Sequence, residues 1–179
     1  ALDILNKEEP KRIITLGGDC AGSVVPFSYL RSKYPDDVAV VWLDAHPDIT
    51  MPGYAYTGYH AMALTAVMGM GDSRIMEMLP AKISPDKAMI VGLRAWDEEV
   101  IPERQKQLGL KSVSPIEVRK SSQAVLDWIK ATGVSEVVIH FDLDVLDPAE
   151  IIAAVGTDPD GMKIAEVVRL INDIAGAYD

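Results

Sequence analysis

Acidic and imidazole side chains follow directly after two short apolar runs of the chain, residues 38–43 and 136–141. They are Asp44, His46, Asp48, Asp142 and Asp144. Within each set the spacing is two residues, and in an extended chain residues two apart point to the same side. Carboxylates this close together stay ionised in a partly buried cleft only if a cation offsets their repulsion and their loss of hydration. The pattern therefore predicts a site for one or two divalent metal ions.

Each of these motifs has a more ordinary interpretation when it is taken alone. An aspartate at the end of a strand is usually part of a turn or a helix cap, and we interpret Asp147-Pro148 as such a turn. Asp19 is expected to brace the turn at Gly17-Gly18. Three strand ends carry carboxylates, and one of them also has a histidine between two aspartates. This coincidence favours a shared metal site over three unrelated turns.

Short β-branched runs alternate with longer amphipathic segments, which is the pattern of βαβ units around a parallel sheet. The predicted strands are 12–16, 38–43, 88–93 and 136–141, with a short extended piece at 111–113. The predicted helices are 23–34, 60–68, 72–79, 98–108, 116–132 and 162–177. These elements predict one α/β domain of three layers, α/β/α, with a mainly parallel sheet. Such sheets bind ligands at the carboxyl ends of their strands, where the acidic clusters lie.

The composition excludes several classes of protein. The chain has 179 residues, 49% of them apolar and 25% charged, which is ordinary for a globular domain. No apolar run approaches the roughly 20 residues that span a bilayer, and a formal charge of −10 makes nucleic acid an unfavourable partner. The single cysteine, Cys20, forms no internal disulfide, and no leader sequence is recognisable, so we expect a cytoplasmic location.

Three motifs together resemble those of a known enzyme superfamily. The segments are GGDC at 17–20, DAHPD at 44–48 and HFDLDVLDP at 140–148. Their order, spacing and strand context are similar to those of the ureohydrolases, which include arginase, agmatinase and formimidoylglutamase. The resemblance covers nearly the whole chain and implies a single arginase-like domain over 1–179. It also implies that the N-terminal unit and the last strand of the relatives are missing, which leaves open that the chain is a fragment of that fold.

The resemblance implies a centre with two Mn²⁺ ions. Carried over position by position, its ligands are Asp44, His46, Asp48, Asp142 and Asp144, with Asp44 and Asp142 as the bridging ligands. Their oxygen-rich character suits a hard metal such as Mn²⁺.

Cys20 departs from the family pattern, because relatives have a metal-binding histidine at this position. Two interpretations stay open. A thiolate of Cys20 would be a soft ligand and would tilt that subsite towards Zn²⁺ or Fe²⁺. Alternatively, Cys20 is a small buried residue behind the site, and Mn²⁺ binds there weakly. His140 lies where relatives often have a small polar residue, and the sequence assigns it no role.

The resemblance also implies residues that handle the substrate. His60 is expected as a general acid or base, and Glu166 as the partner of a guanidinium group. Asp97 is expected to contact the amino end of the substrate, and Thr50 and Thr57 lie in the loop that contacts its α-carboxylate. Simpler alternatives exist: a solvent-facing histidine at 60, a solvated glutamate at 166 and an N-cap at 97.

These expectations combine into a Mn²⁺-dependent hydrolase of linear amidine or guanidine C–N bonds, of arginase or agmatinase type, with a metal-bound hydroxide as the nucleophile. The expected partner is a small cationic guanidine, and the expected assembly is a homo-oligomer. The alternative is a catalytically weakened relative that binds a metal or a ligand.

Overall fold

The apolar runs form a four-stranded sheet in which every strand is parallel to its neighbours. The computed structural model describes residues 1–96, 98–152 and 157–178. The strands are β1 (Val38–Leu43), β2 (Ala88–Val91), β3 (Lys111–Val113) and β4 (Glu136–Phe141), in the order β3-β2-β1-β4. The sequence predicts the bounds of β1, β3 and β4 correctly and extends β2 too far. The two strands that precede the acidic clusters, β1 and β4, are adjacent.

Helices lie on both faces of the sheet. They are α1 (Leu2–Glu8), α2 (Val24–Lys33), α3 (Ala63–Val67), α4 (Ser73–Met76), α5 (Ile101–Leu108), α6 (Pro115–Lys120), α7 (Gln123–Thr132) and α8 (Ile164–Ala175). Short 3₁₀ turns occupy Cys20–Ser23, His60–Met62, Pro85–Lys87 and Leu143–Val145. In the described ranges, no helix has the length and apolar character needed to cross a membrane.

Alternation along β1 divides the core into two halves. Val40 and Trp42 pack in a cluster with side chains of α2 and α3, whereas Val41 and Leu43 pack with side chains of α6, α7 and α8. Every side chain of β1 is fully buried, as expected for a central parallel strand that is covered on both faces. The three-layer α/β/α architecture predicted from the sequence is confirmed.

The prediction of a strand at 12–16 is wrong. Ile14 and Leu16 are 92% and 96% exposed, and a cavity of about 1380 Å³ is lined by this segment on one side and by β4 on the other. A β-branched run becomes a strand only where a neighbour satisfies its backbone hydrogen bonds. Among the described residues, no strand pairs with this segment.

Helix boundaries differ from the prediction where local hydrogen bonds override periodicity. The predicted helix 116–132 is two helices, because the backbone is extended at Ser121, whose hydroxyl accepts the N–H of Gln123 at the start of α7. The predicted helix 72–79 is reduced to the short α4, with Asp72 as its N-cap. The sequence does not predict α1, which contributes no buried side chain.

Candidate metal centre

The adjacency of β1 and β4 brings both acidic clusters to one edge of the sheet. Backbone pairing continues one residue beyond each strand: the Asp44 N–H donates to the Val91 carbonyl at 3.0 Å, and the Asp142 N–H donates to the Leu43 carbonyl at 2.9 Å. These bonds place the first aspartate of each cluster at the carboxyl ends of the strands, where parallel sheets bind ligands. All the predicted ligands, Cys20 included, line the cavity beside β4.

One set of possible metal donors, which we name the outer group, consists of Asp44, His46 and Asp144. One ligand atom of each residue lies within 4.8 Å of the others. His46 Nδ1 lies 2.9 Å from Asp144 Oδ2 and 3.7 Å from Asp44 Oδ1. Backbone groups orient the carboxylates, since the His46 N–H donates to Asp44 Oδ1 at 2.7 Å and the Ala45 N–H donates to Asp144 Oδ1 at 3.0 Å. The side chain of His46 is 23% exposed and that of Asp44 is buried, so solvent reaches this group from the side of His46.

A second set of possible donors, which we name the inner group, consists of Cys20, Asp44, Asp48 and His140. One ligand atom of each residue again lies within 4.8 Å of the others, and every member is buried. The Cys20 thiol donates to Asp142 Oδ2 at 3.2 Å, which joins the remaining predicted ligand to this group. His140 Nε2 lies 3.7 Å from Asp44 Oδ2. Within the described ranges, His140 Nε2 and Asp48 Oδ2 are buried without a hydrogen-bond partner.

Asp48 reaches the inner group because the chain turns at that residue. Residues 44–48 are not a strand, and Asp48 has a φ of 49°, a left-handed conformation that aspartate tolerates better than most residues. Its carbonyl accepts the N–H groups of Leu64 and Thr65 in α3, at 3.1 and 3.2 Å, which fixes the turn. The extended geometry assumed for Asp44, His46 and Asp48 is therefore incorrect, although the three side chains do converge.

His140 is a member of the cluster to which the sequence analysis assigns no role. It pairs with Trp42 in the register of β1 and β4, and its ring stacks on the indole with centroids 3.7 Å apart. Its Nδ1 lies 2.8 Å from Ser23 Oγ. The sequence contains a signal for it, because His140 lies two residues before Asp142 and an extended strand points both side chains to the same side.

The crowding of buried acidic groups shifts the pKa values of several members. Burial, then the charges of Asp48 and Asp44, raises the pKa of the Cys20 thiol far above its usual range. Burial, then the charge of Asp44, also raises the pKa of Asp48. Hydrogen bonds with Asp144 and Asp44 raise the pKa of His46 to about 11. Without a cation, the cluster therefore retains protons that a bound metal ion would displace.

Arg94 braces the loops that flank the outer group. Its guanidinium donates to the carbonyls of Asp144 at 2.7 Å, Asp158 at 2.9 Å and Pro159 at 3.0 Å. Asp158 Oδ2 in turn lies 3.6 Å from His46 Nε2. The sequence analysis assigns no role to Arg94 or Asp158, because a single arginine and a loop aspartate carry no spacing signal.

His60 lines the same cavity as the acidic clusters. It lies at the start of the 3₁₀ turn His60–Met62, and its Nε2 is 3.0 Å from the hydroxyl of Tyr56. The structure therefore brings the predicted acid or base to the cavity of the predicted ligands.

Neither threonine predicted to contact the substrate lies in the lining of the cavity. Thr50 is buried, and its hydroxyl donates to the Ala61 carbonyl at 2.8 Å. Thr57 is exposed on the loop that precedes His60. Asp97 lies outside the described residues.

Glu166 also lies away from the lining of the cavity. It is buried in the first turn of α8, where it accepts the N–H of Lys163 at 2.9 Å and the Nε–H of Arg119 at 3.3 Å. Its carboxylate stabilises the beginning of α8 and pairs with a guanidinium of this same chain. The geometry gives no support for its predicted contact with a substrate.

The donors present fit a divalent cation. Carboxylate oxygens and imidazole nitrogens are good ligands for Mn²⁺, Fe²⁺ and Zn²⁺. Buried polar atoms normally have a partner, so the unpartnered Asp48 Oδ2 and His140 Nε2 at the centre of the cluster favour an additional partner such as a metal ion.

Residues 3–178 match the family model described as "Arginase family". The arginase of Entamoeba histolytica is 30% identical over 169 residues, which are 90% of this chain and 56% of that protein. The arginase of Staphylococcus aureus strain COL is 28% identical over 160 residues, 82% of this chain and 52% of that protein. The crystal structure of Entamoeba histolytica arginase in complex with L-ornithine has a TM-score of 0.82 and 24% identity, and the match covers 96% of this chain and 61% of that chain.

The protein thus spans about half the length of the relatives that it matches in sequence. The family model nevertheless covers almost all of the chain, including every motif that contributes to the inner and outer groups. The solved arginase shows that the two chains share a fold. The chain belongs to the arginase family.

Proposed function

We propose that the protein is a metal-dependent hydrolase of the C–N bond of a small cationic guanidine. The observation that supports this most directly is the convergence of the two acidic clusters and His46 on one cavity, with buried acceptors that lack partners. Such a set of ligands fits two divalent ions, one at the outer group and one at the inner group, with Asp44 common to both.

The ions would lower the pKa of a water molecule towards neutrality and so supply the strong nucleophile that a resonance-stabilised guanidinium carbon requires. Asp44, His46 and Asp144 would hold one ion, and the inner group would hold the other. The acidic cavity would attract and orient a cationic substrate. His60, which lines the cavity beside Tyr56, would protonate the departing amine.

The charge of the cavity and the relatives support the proposed substrate class. The Entamoeba histolytica arginase was solved with L-ornithine, an amino acid with a cationic side chain. We propose a guanidine of similar size for this chain, with L-arginine and agmatine as the first candidates. Mn²⁺ is the proposed metal of the outer group, whose donors are oxygen atoms and one imidazole.

The test is an assay of urea release from L-arginine and agmatine by protein loaded with Mn²⁺. We expect hydrolysis by the parent and a loss of more than about 100-fold in Asp144→Asn, because even residues that only support metal ligands contribute about 10–100-fold. The matched control is Asp86→Asn, the same change at an exposed position in the Pro85–Lys87 turn, which should retain the parental rate.

A second candidate is a relative that binds metal without turnover. It is favoured by Glu166, since the carboxylate predicted to hold the guanidinium is engaged by Arg119. Stoichiometric Mn²⁺ binding without urea release from either candidate substrate would favour this alternative.

Assembly into a homo-oligomer stays a prediction. Ile14 and Leu16 are almost fully exposed, and apolar side chains of this kind are commonly covered by contacts. Light scattering measures the mass in solution, and a monomer would contradict the prediction.

A further inference from the structure

The inner group receives an imidazole from a position that the family pattern does not use. We propose that His140 is a metal ligand of this centre and that its Nε2 replaces the imidazole that the pattern would place at residue 20. The inference rests on the proposed metal centre and names a further ligand within it.

Strand register places His140 in the cluster. Trp42 and His140 are paired in the parallel ladder of β1 and β4, and two residues further along the strands lead to Asp44 and Asp142. The two aspartates are therefore on the same face of the sheet as the imidazole. The stacked indole of Trp42 holds the ring in the plane that directs Nε2 at the carboxylates.

The two ring nitrogens have different surroundings. Nδ1 lies 2.8 Å from Ser23 Oγ, whereas Nε2 is buried and lacks a hydrogen-bond partner among the described residues. A histidine that ligates a metal commonly donates its other N–H to a nearby acceptor, which fixes the tautomer and leaves one lone pair for the ion. Ser23 Oγ can accept from Nδ1, and Nε2 then presents its lone pair to the inner group.

The distance to Asp44 distinguishes a ligand pair from a hydrogen bond. His140 Nε2 is 3.7 Å from Asp44 Oδ2, beyond the roughly 2.7–3.2 Å of an N–H···O hydrogen bond. Two ligand atoms that are each about 2.0–2.2 Å from one Zn²⁺ lie roughly 3–4 Å from each other. The separation observed is therefore suited to a shared cation.

The chemistry of the inner donors favours a metal ion that is intermediate between hard and soft. Cys20 offers sulfur, His140 nitrogen, and Asp44 and Asp48 offer oxygen, all within 4.8 Å. Zn²⁺ accepts sulfur, nitrogen and oxygen ligands in tetrahedral sites, whereas a site for Mn²⁺ has mainly oxygen donors. The inner group should therefore prefer Zn²⁺, while the outer group retains Mn²⁺.

Packing alone is the competing explanation of His140. Stacking on Trp42 and the contact with Ser23 account for the position of the ring, but they leave Nε2 buried and unpaired, which is unfavourable. His140→Phe separates the two explanations, because phenylalanine preserves an aromatic ring against Trp42 and removes both nitrogens.

The experiment is a titration of ¹⁵N-histidine-labelled protein with Zn²⁺, followed by NMR of the ring nitrogens. The chain has 3 histidines, so single substitutions of His46 and His60 assign the signal of His140 by elimination. We expect the Nε2 signal of His140 to move to the range of a metal-bound imidazole as the ion binds. His60, whose Nε2 lies beside the Tyr56 hydroxyl, should keep its metal-free signal.

Calorimetry of His140→Phe gives the second readout. We expect at least a tenfold loss of Zn²⁺ affinity at one site with the outer site unchanged, and a thermal melt shows whether the variant is folded. If Zn²⁺ binds the parent while the His140 signal stays at its metal-free position, the inference is wrong and the proposed function stands. If neither Zn²⁺ nor Mn²⁺ binds at all, both proposals are wrong.

Discussion

The outer and inner groups share Asp44 but differ in how their polar atoms are satisfied. In the outer group, His46 pairs with Asp144, and both of the carboxylates accept backbone N–H groups. In the inner group, Asp48 Oδ2 and His140 Nε2 are buried without partners within the described part of the chain. The first group is a hydrogen-bonded unit, whereas the second contains two buried polar atoms for which the described residues supply no hydrogen-bond partner.

This difference indicates how the two positions should behave towards metals. An ion entering the outer group must displace a proton that is held by an imidazole with a raised pKa, of about 11, between two carboxylates. An ion entering the inner group also displaces protons, because burial raises the pKa values of Cys20 and Asp48, but it supplies a partner for two buried atoms that have none among the described residues. Occupancy of both positions should therefore depend on displacing protons, and occupancy of the inner position should depend in addition on retaining the donors that have no other partner.

The substitution with the largest expected effect removes the residue that both groups share. Asp44→Asn should lower metal affinity at both positions and abolish urea release, by more than about 100-fold, since loss of a supporting residue alone costs about 10–100-fold. Equilibrium dialysis with metal analysis measures both stoichiometries. Loss at only one position would show that Asp44 does not join the groups. Asp86→Asn is the control.

An exchange of residues tests the inner group next. His140→Ser should reduce inner-site affinity by more than about tenfold, and Cys20→His added to it should restore most of the loss with a shift of preference from Zn²⁺ to Mn²⁺. Calorimetry with each metal on the parent, single and double variants measures this. If the double variant binds metal no more tightly than His140→Ser, an imidazole at residue 20 does not take the place of the one at residue 140.

Much of the fold could be predicted because β-branched runs in a buried parallel sheet carry a strong local signal. The sequence predicts the bounds of β1 and β4 correctly, whereas it does not predict that the two strands are adjacent. The run 12–16 has the same local pattern, but it is not a strand, because strand formation depends on a neighbour that local sequence does not encode. The break between α6 and α7 depends on side-chain hydrogen bonds at Ser121, which periodicity does not report.

The residues of the site also differ in whether the local sequence determines their positions. Strand ends suffice to place Asp44 and Asp142. Asp48 and Asp144 reach the site through a left-handed turn and a 3₁₀ turn, which the spacing does not encode. The sequence analysis assigns no role to His140, and the register with Trp42 shows that its ring lies beside the acidic cluster. The engagement of Glu166 by Arg119 joins α6 to α8 and is a tertiary contact that no motif encodes.

Arg94 provides a selective perturbation of the outer group. Arg94→Lys removes the forked contact with the carbonyls of Asp144 and Asp158, which a lysine cannot reproduce. We expect about 2 kcal/mol less stability in a urea melt and about tenfold weaker Mn²⁺ binding at the outer position. The inner position should be unaffected.

Arg74→Lys, at an exposed arginine that pairs with Asp72, is the matched control. Equal losses at both positions would show that the two groups are not independent.

The most local effect is expected at Ser23, whose hydroxyl contacts the ring of His140. Ser23→Ala removes the oxygen 2.8 Å from Nδ1, so the ring loses the contact that fixes its tautomer, while Nε2 and the stacking on Trp42 remain. Zn²⁺ affinity at the inner position should fall by about tenfold, the lower end for a residue that orients a ligand.

Ser28→Ala is the control, because its buried hydroxyl donates to the Ala81 carbonyl in the same region. That control should cost about 1 kcal/mol of stability without changing metal affinity. Identical Zn²⁺ isotherms for the two variants would mean that Ser23 does not orient a ligand.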